Sequence, residues 1–409
     1  MFRIYFFIGI FIWANHVMSQ SPTAMSYQHA VDTLLAKHPS IMAKAFEQAS
    51  FQKLAEKGYG LSQPVLTSEL GQFNSRFFDA AFGIQQSFSH PKVFKVQRTG
   101  YQIQQKQAAW SEQEISTNLR KELATLYAFY TFQEDLAKLY TQKDSLYKSI
   151  YDIAQNRLRF GESDALDIAL LETQLLEIQN ELQQIESDKR SIMAQLQTML
   201  GFQNLPTPDP RDLPWDQWRL QIQAVDLEQI PTYRKMELEQ DMVRNEMEQV
   251  KANLLPELSV AYRNVGIQGT GADDIRYPAS ARFHSVQFGI SIPIFQQHAK
   301  KDRAALDATL QQKMAERQSF EKEVYARWAE AYQQYTTLEK TLQTLEQKIL
   351  PSSVRISELA TNKWKAGQLG LVEYHQLLIQ KYQNMLQAHE QRFQSRMLLI
   401  QINHLTNTL

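Results

Sequence analysis

The chain carries the same order of residues twice. Residues 154–161 read AQNRLRFG and residues 360–367 read ATNKWKAG, so Ala154, Asn156 and Gly161 recur as Ala360, Asn362 and Gly367 at an offset of 206. Arg157 and Arg159 recur as Lys363 and Lys365, which keeps charge where identity is lost. The same offset takes Phe82-Gly83-Ile84 onto Phe288-Gly289-Ile290 and Asp167 onto Glu373. Nearer the start the offset falls to 192, with His38-Pro39 matching Ile230-Pro231 and Pro64 matching Pro256. A repeat this long lies far beyond the solenoid period of about 20–50 residues. The chain is therefore two copies of one structural unit, and the second copy carries 14 extra residues, the difference between the offsets 206 and 192.

Bulk properties remove several function classes. With 43 basic and 44 acidic residues the charges balance, so no basic footprint for nucleic acid exists. Cysteine is absent, which excludes disulfides, thiolate metal sites, Cys nucleophiles and a lipidated N-terminal Cys. Met1-Phe2-Arg3, an apolar run of 11 residues from Ile4 to Ala14, and Val17 and Ser19 before a cleavage point predict a secretory signal over residues 1–19. That run is too short to span a bilayer as a helix, and no other segment approaches the about 18 apolar residues that a span needs.

Each copy predicts the same element order: helix, two strands, a very long helix, a turn and a medium helix. In the first copy Tyr27 to about Tyr59 reads as helix, Pro64–Phe73 and Phe82–Ser89 as strands, and Pro91 to Gly161 as one helix. In the second, Gln217–Leu254 reads as mainly helical, Pro256–Ile267 and Phe283–Phe295 as strands, and Gln296–Ala366 as helix with an interruption at Pro351, before a last helix to Leu405. The strands rest on alternation: Val286, Phe288, Ile290, Ile292 and Ile294 are interleaved with Gln287, Gly289, Ser291 and Pro293. Phe82, Ile84 and Phe88 in one partner, and Leu258, Val260 and Tyr262 in another, follow the same pattern, broken at Gln86.

The helices rest on a heptad period. Leu171, Leu175, Ile178, Leu182, Ile185, Ile192, Leu196 and Met199 keep one register, and Leu126, Phe129, Leu136, Tyr140, Tyr147, Ile150 and Ala154 another. A second apolar line through Leu123, Tyr130 and Leu139 gives the long helix neighbours on two sides, as in a sheet or tube of coiled coils. The expected domains are residues 20–201 and 217–409 for the two copies, joined by a linker at 202–216 containing Pro206, Pro208, Pro210 and Pro214. A helix of about 70 residues spans about 105 Å, which matches a short and a medium helix stacked end to end. Two strands per copy give four per chain, too few to close a barrel alone. Three chains would supply twelve, an even number allowed for an outer-membrane barrel.

The duplicated order, with Arg159-Phe160-Gly161 before Leu166-Asp167-Ile168 and Lys365-Ala366-Gly367 before Leu371-Val372-Glu373, resembles the TolC-like outer membrane efflux protein family over nearly the whole mature chain. The stretch Glu69 to Ser75 with Phe82 to Phe88 is similar to members that accompany heavy-metal (Cus/Czc-type) exporters. The resemblance implies a mainly α, α+β membrane protein: a homotrimer whose twelve-stranded transmembrane β-barrel continues into a twelve-helix periplasmic coiled-coil tube. It also implies a passive exit duct in the cell outer membrane, partnered by a periplasmic membrane-fusion adaptor and an inner-membrane exporter of the resistance-nodulation-division type. Two alternatives stand beside it: a duct for type I protein secretion, and a periplasmic coiled-coil scaffold with no barrel.

Candidate functional residues follow. Gly161 and Gly367 end helices, and the flanking Arg157, Arg159, Lys363 and Lys365 are either docking contacts for a partner's helical hairpin or solvated helix ends. Asp164, Asp167 and Glu373 either form carboxylate rings at a pore constriction or simply suit the starts of helices. The lipid face of a barrel would comprise Phe82, Ile84, Phe88, Leu258, Val260, Tyr262, Val286, Phe288, Ile290 and Ile292. Phe73, Phe77, Phe78, Tyr262, Tyr277 and Phe283 form an expected interfacial girdle. No phosphate-binding Gly loop, G-x-S-x-G or H-E-x-x-H motif appears, and the histidines lack i, i+4 spacing. No enzyme, cofactor or metal centre is therefore expected.

Overall fold

The computed structural model describes residues 24–58, 60–73, 76–162, 164–209 and 212–409. The expected signal at 1–19, the helix end at Tyr59 and Pro210 of the linker lie outside the described residues. The chain divides into two compact units. The first takes the residues up to Leu34 and Leu126–Leu213; the second takes Leu35–Thr125 and Pro214–Leu409.

The first unit is built on the C-terminal part of helix α3 (Pro91–Arg159) and on α4 (Ala165–Leu200), with the start of α1 (Tyr27–Lys37). In α4 the buried residues Leu171, Ile178, Ile185 and Ile192 repeat every seventh position, as the heptad requires. In α3 the expected line holds at Leu136, Tyr147, Ile150 and Ala154, which are buried, and shifts earlier in the helix. Tyr127 and Tyr130 are buried, while Leu126 and Phe129 are half-buried, because the second apolar line faces the core here. Lys189, which interrupts the α4 register, is accommodated by an ion pair with Glu134.

The proline-rich segment is not a free tether. Met25 N–H donates to Thr207 O at 2.9 Å, Asp209 N–H donates to Met25 O at 3.0 Å, and Tyr27 N–H donates to Asp212 Oδ2 at 2.7 Å. Tyr27 also meets Tyr127 edge-on, with ring centroids 5.5 Å apart. Burial drives the Tyr127 hydroxyl above its ordinary pKa, and the nearby Asp212 carboxylate adds to that shift.

The second unit holds α2 (Pro39–Glu56), α5 (Trp215–Leu220), α6 (Pro231–Ala252), α7 (Gln297–Thr344), α8 (Leu350–Lys365), α9 (Leu371–Leu405) and the strands. The helix expected from Tyr27 to Tyr59 breaks at His38, and the one expected from Gln217 breaks between Leu220 and Pro231. A proline fixes the point at which each following helix begins. A residue before proline is pushed out of the helical region, and His38 (ψ 126°) and Ile230 (ψ 116°) are extended ahead of Pro39 and Pro231. The expected interruption at Pro351 is a single π turn over Leu345–Ile349. Leu350 N–H donates to Leu345 O, five residues back. The wider turn makes room for a ring that would otherwise press on the carbonyl four residues earlier.

Four strands form one antiparallel sheet in the order β1 (Val65–Gly71), β2 (Asp79–Phe88), β3 (Glu257–Gly266), β6 (Arg282–Ser291). The two copies of the repeat are thus two hairpins laid side by side through β2 and β3. Between β3 and β6 a small hairpin, β4 (Gly269–Thr270) with β5 (Arg276–Tyr277), occupies the region of the insertion. Buried Asp79 accepts from Gln268 N–H at 3.1 Å and fastens this loop to β2. The sheet is open. Among the described residues neither the outer edge of β1 nor that of β6 has a strand partner.

Candidate functional site

The sheet has two chemically distinct faces. Directly paired residues on neighbouring strands share a face. The pairs Ile84↔Tyr262↔Val286, Gln86↔Val260↔Phe288 and Phe88↔Leu258↔Ile290 therefore set one apolar face across β2, β3 and β6. The pairing Leu66↔Ile84 extends it onto β1, where weak alternation hides it in the sequence. All ten residues expected on a lipid face are exposed; Phe288 keeps 82% of its surface. Gln86, the polar intruder, has its amide occupied by donation to Ser62 O at 2.7 Å and Ser87 O at 2.8 Å.

The opposite face carries Thr67, Glu69, Gly83, Gln85, Ser259, Arg263, Gln287 and Gly289. Glu69 and Arg263 form an ion pair there across 194 residues of sequence. A Cβ on Gly83 would meet Thr67 Oγ1 at 2.6 Å, and one on Gly289 would meet Ser259 Oγ at 2.5 Å. Thr67–Gly83 and Ser259–Gly289 are the same pair in the two copies, so the repeat preserves a close approach as well as a pattern. The expected aromatic girdle does not form one belt. Phe283 pairs with Val265 on the polar face and stacks edge-on against Tyr277 at 5.1 Å, while Tyr262 lies on the apolar face.

The two turns repeat at the level of hydrogen bonds. Gly161 (φ 75°) and Gly367 (φ 72°) are left-handed. Glu162 N–H donates to Arg157 O at 2.9 Å and Gly161 N–H to Leu158 O at 3.0 Å, closing a Schellman turn. Gln368 N–H to Lys363 O at 2.9 Å and Gly367 N–H to Trp364 O at 3.0 Å repeat it 206 residues later. Arg159, Lys363 and Lys365 are exposed and Arg157 is half-buried.

Of the expected acidic residues, Asp164 caps α4, accepting from Asp167 N–H at 2.9 Å. Asp167 is half-buried in the first turn of α4, and Glu373 is exposed in the first turn of α9. What the sequence did not disclose is the stack of Trp364 on Tyr374, with centroids 5.0 Å apart, that closes the second turn. Among the described residues no group of three His, Cys, Asp or Glu converges on a metal position, and no helix is long and apolar enough to cross a membrane.

An open sheet with one apolar face, joined to long heptad helices, is an arrangement that comparison can place. Residues 226–404 match the family model for the outer membrane efflux protein. Over those residues, somewhat under half of its length, the chain is similar to that family. Solved structures extend the likeness in fold beyond the matched segment. The outer-membrane channel OprN is 13% identical, with 94% of this chain and 90% of that chain covered at a TM-score of 0.75. A membrane protein from Pseudomonas aeruginosa is 14% identical, with 93% and 90% covered at 0.76. CusC, whose structures concern folding and transmembrane channel formation, is 13% identical, with 94% and 92% covered at 0.76. At these identities the likeness is one of fold. No curated protein sequence matches the chain.

Proposed function

We propose that three copies of this chain form a passive exit duct in the cell outer membrane. The observation that carries the proposal is the open four-stranded sheet, apolar on one face, polar on the other and unpartnered at both edges among the described residues. Such an edge is a template for another strand, and an apolar patch of this extent needs a cover. Pairing β6 of one copy with β1 of the next satisfies the edges of all three sheets at once and closes twelve strands into a barrel. The apolar face then meets lipid, and the face with Glu69, Arg263 and the small residues lines water.

The heptad helices continue the path as a periplasmic tube of twelve helices. The turns at Gly161 and Gly367, with Arg157, Arg159, Lys363 and Lys365, dock a periplasmic adaptor and an inner-membrane exporter of the resistance-nodulation-division type. Asp167 and Glu373 are the carboxylates proposed for the constriction, since the Asp164 carboxylate serves its helix cap. Members of the family are channels, and the energy comes from the exporter. Heavy-metal cations are the proposed cargo, which passes through without a binding site.

Fractionation and planar-bilayer recording test the duct. The expected result is a heat-modifiable trimer in the outer membrane with a steady conductance; a soluble periplasmic protein with no conductance contradicts it. Docking is tested by the double substitution Arg159→Glu with Lys365→Glu, which should abolish export while the trimer persists. Unchanged export and adaptor cross-linking would reject docking and leave the barrel standing.

A further inference from the structure

The apolar face of the sheet ends in a small polar group at the hairpin end. Moving along the strands from the helices, the paired rows run Phe88, Leu258, Ile290; then Gln86, Val260, Phe288; then Ile84, Tyr262, Val286. The next row is Phe82, Asn264, His284, and the last is Ala80, Gly266, Arg282. No carboxylate occurs on this face of the four strands, and Arg282 supplies its single formal charge. Among the described residues Arg282 makes no ion pair. Its guanidinium lies over the Phe82 ring at 5.9 Å and donates through Nη1 to Ala80 O at 3.1 Å, which leaves further N–H groups unused.

His284 is oriented as a donor. Tyr262 O–H donates to its Nδ1, and Asn264 Nδ2 lies 3.2 Å from the same atom. A side-chain amide nitrogen only donates, so Nδ1 accepts and the proton sits on Nε2. Arg282 and Nε2–H of His284 thus form a cationic, donor-only rim on top of an apolar wall.

We propose that this rim docks a phosphate-bearing lipid of the outer leaflet. Arg282 and His284 hold the phosphate oxygens, and Val286, Tyr262 and Phe288 receive the acyl chains. The inference rests on the duct proposal, which puts the hairpins at the outer surface. Charge complementarity selects the occupant. An acidic protein segment would match the rim but not the wall, whereas a phosphorylated lipid carries its anion directly above its hydrocarbon, in the order the rows present. A guanidinium on a lipid face is costly at mid-bilayer and nearly free at the interface, and a charge-assisted bond to phosphate makes the position favourable.

The test uses the full-length trimer in neutral-lipid nanodiscs. Binding is measured for a phosphorylated glycolipid, for the same glycolipid after phosphate removal, and for inorganic phosphate. The phosphorylated lipid should bind at least about tenfold tighter than its dephosphorylated form. Arg282→Gln should reduce that preference to within about twofold, Arg282→Lys should keep most of it, and Arg263→Gln on the opposite face should leave it intact. His284→Gln, which preserves the Ala80 contact, should weaken the phosphorylated lipid by about threefold and covers the case in which Arg282→Gln fails to assemble. Equal binding with and without phosphate, or full competition by inorganic phosphate, overturns the inference while a conducting trimer leaves the duct proposal standing. Failure of the wild-type chain to insert as a trimer overturns both.

Discussion

The turn at Gly161 and the turn at Gly367 share a backbone and differ in their surroundings. Both close the same Schellman hydrogen bonds around a left-handed glycine. In the second turn Trp364 is 3% exposed and stacks on Tyr374, whose hydroxyl meets Thr361 Oγ1 at 2.9 Å. Thr361 spends its own proton on Ser357 O, so the Tyr374 hydroxyl is the donor. At the matching positions of the first turn stand Leu158, which is exposed, and Ile168, which is half-buried. Phe160 beside them keeps 82% of its surface. The duplication has preserved the geometry that reverses the chain and released the side chains. One turn clamps itself with a buried aromatic stack, and the other leaves apolar side chains exposed.

Removing the clamp should have the largest effect. Trp364→Ala should cost about 3–5 kcal/mol in denaturant unfolding, whereas Leu158→Ala should stay within about 0.5 kcal/mol. Equal losses would break the distinction between the turns. Next come the glycines. Gly161→Val and Gly367→Val should each cost about 1–2 kcal/mol through the left-handed backbone, and matching values would sharpen the claim that geometry alone is shared. Smallest on stability is Phe160→Ser, expected within about 0.5 kcal/mol, as for Ala366→Ser. Only the former should weaken cross-linking to the adaptor, so loss of cross-linking in both variants, or in neither, would remove the division of labour.

Much of this was legible because periodicity and repetition report directly on backbone geometry. The 206 offset predicted matching turns, and the alternation of Val286, Phe288 and Ile290 marks a two-faced strand, although β6 ends at Ser291 and Ile292 and Ile294 of the same alternation lie beyond it. The heptads of α4 named its buried residues Leu171, Ile178, Ile185 and Ile192. What stayed hidden depends on contacts between distant residues. The join of β2 to β3, the Glu69–Arg263 pair and the Trp364–Tyr374 stack leave no periodic trace. The helix expected from Gln217 is split: α5 ends at Leu220, and α6 starts afresh at Pro231, where the preceding residue must extend. Phe283 was drawn into the girdle by composition, although its register sends it to the other face.

The central claim is that the free edges of β1 and β6 meet between copies. The absence of native cysteine makes a disulfide scan clean, since every cross-link comes from the introduced pair. Leu66 and Ser68 on β1, each replaced by Cys, would be combined with Val286→Cys, Phe288→Cys or Ile290→Cys on β6 and oxidised in isolated outer membranes. The expected result is one register that yields covalent dimers and trimers and nothing larger. A scan with no cross-link between chains, or a ladder that climbs past the trimer, would contradict a closed barrel built from three open sheets.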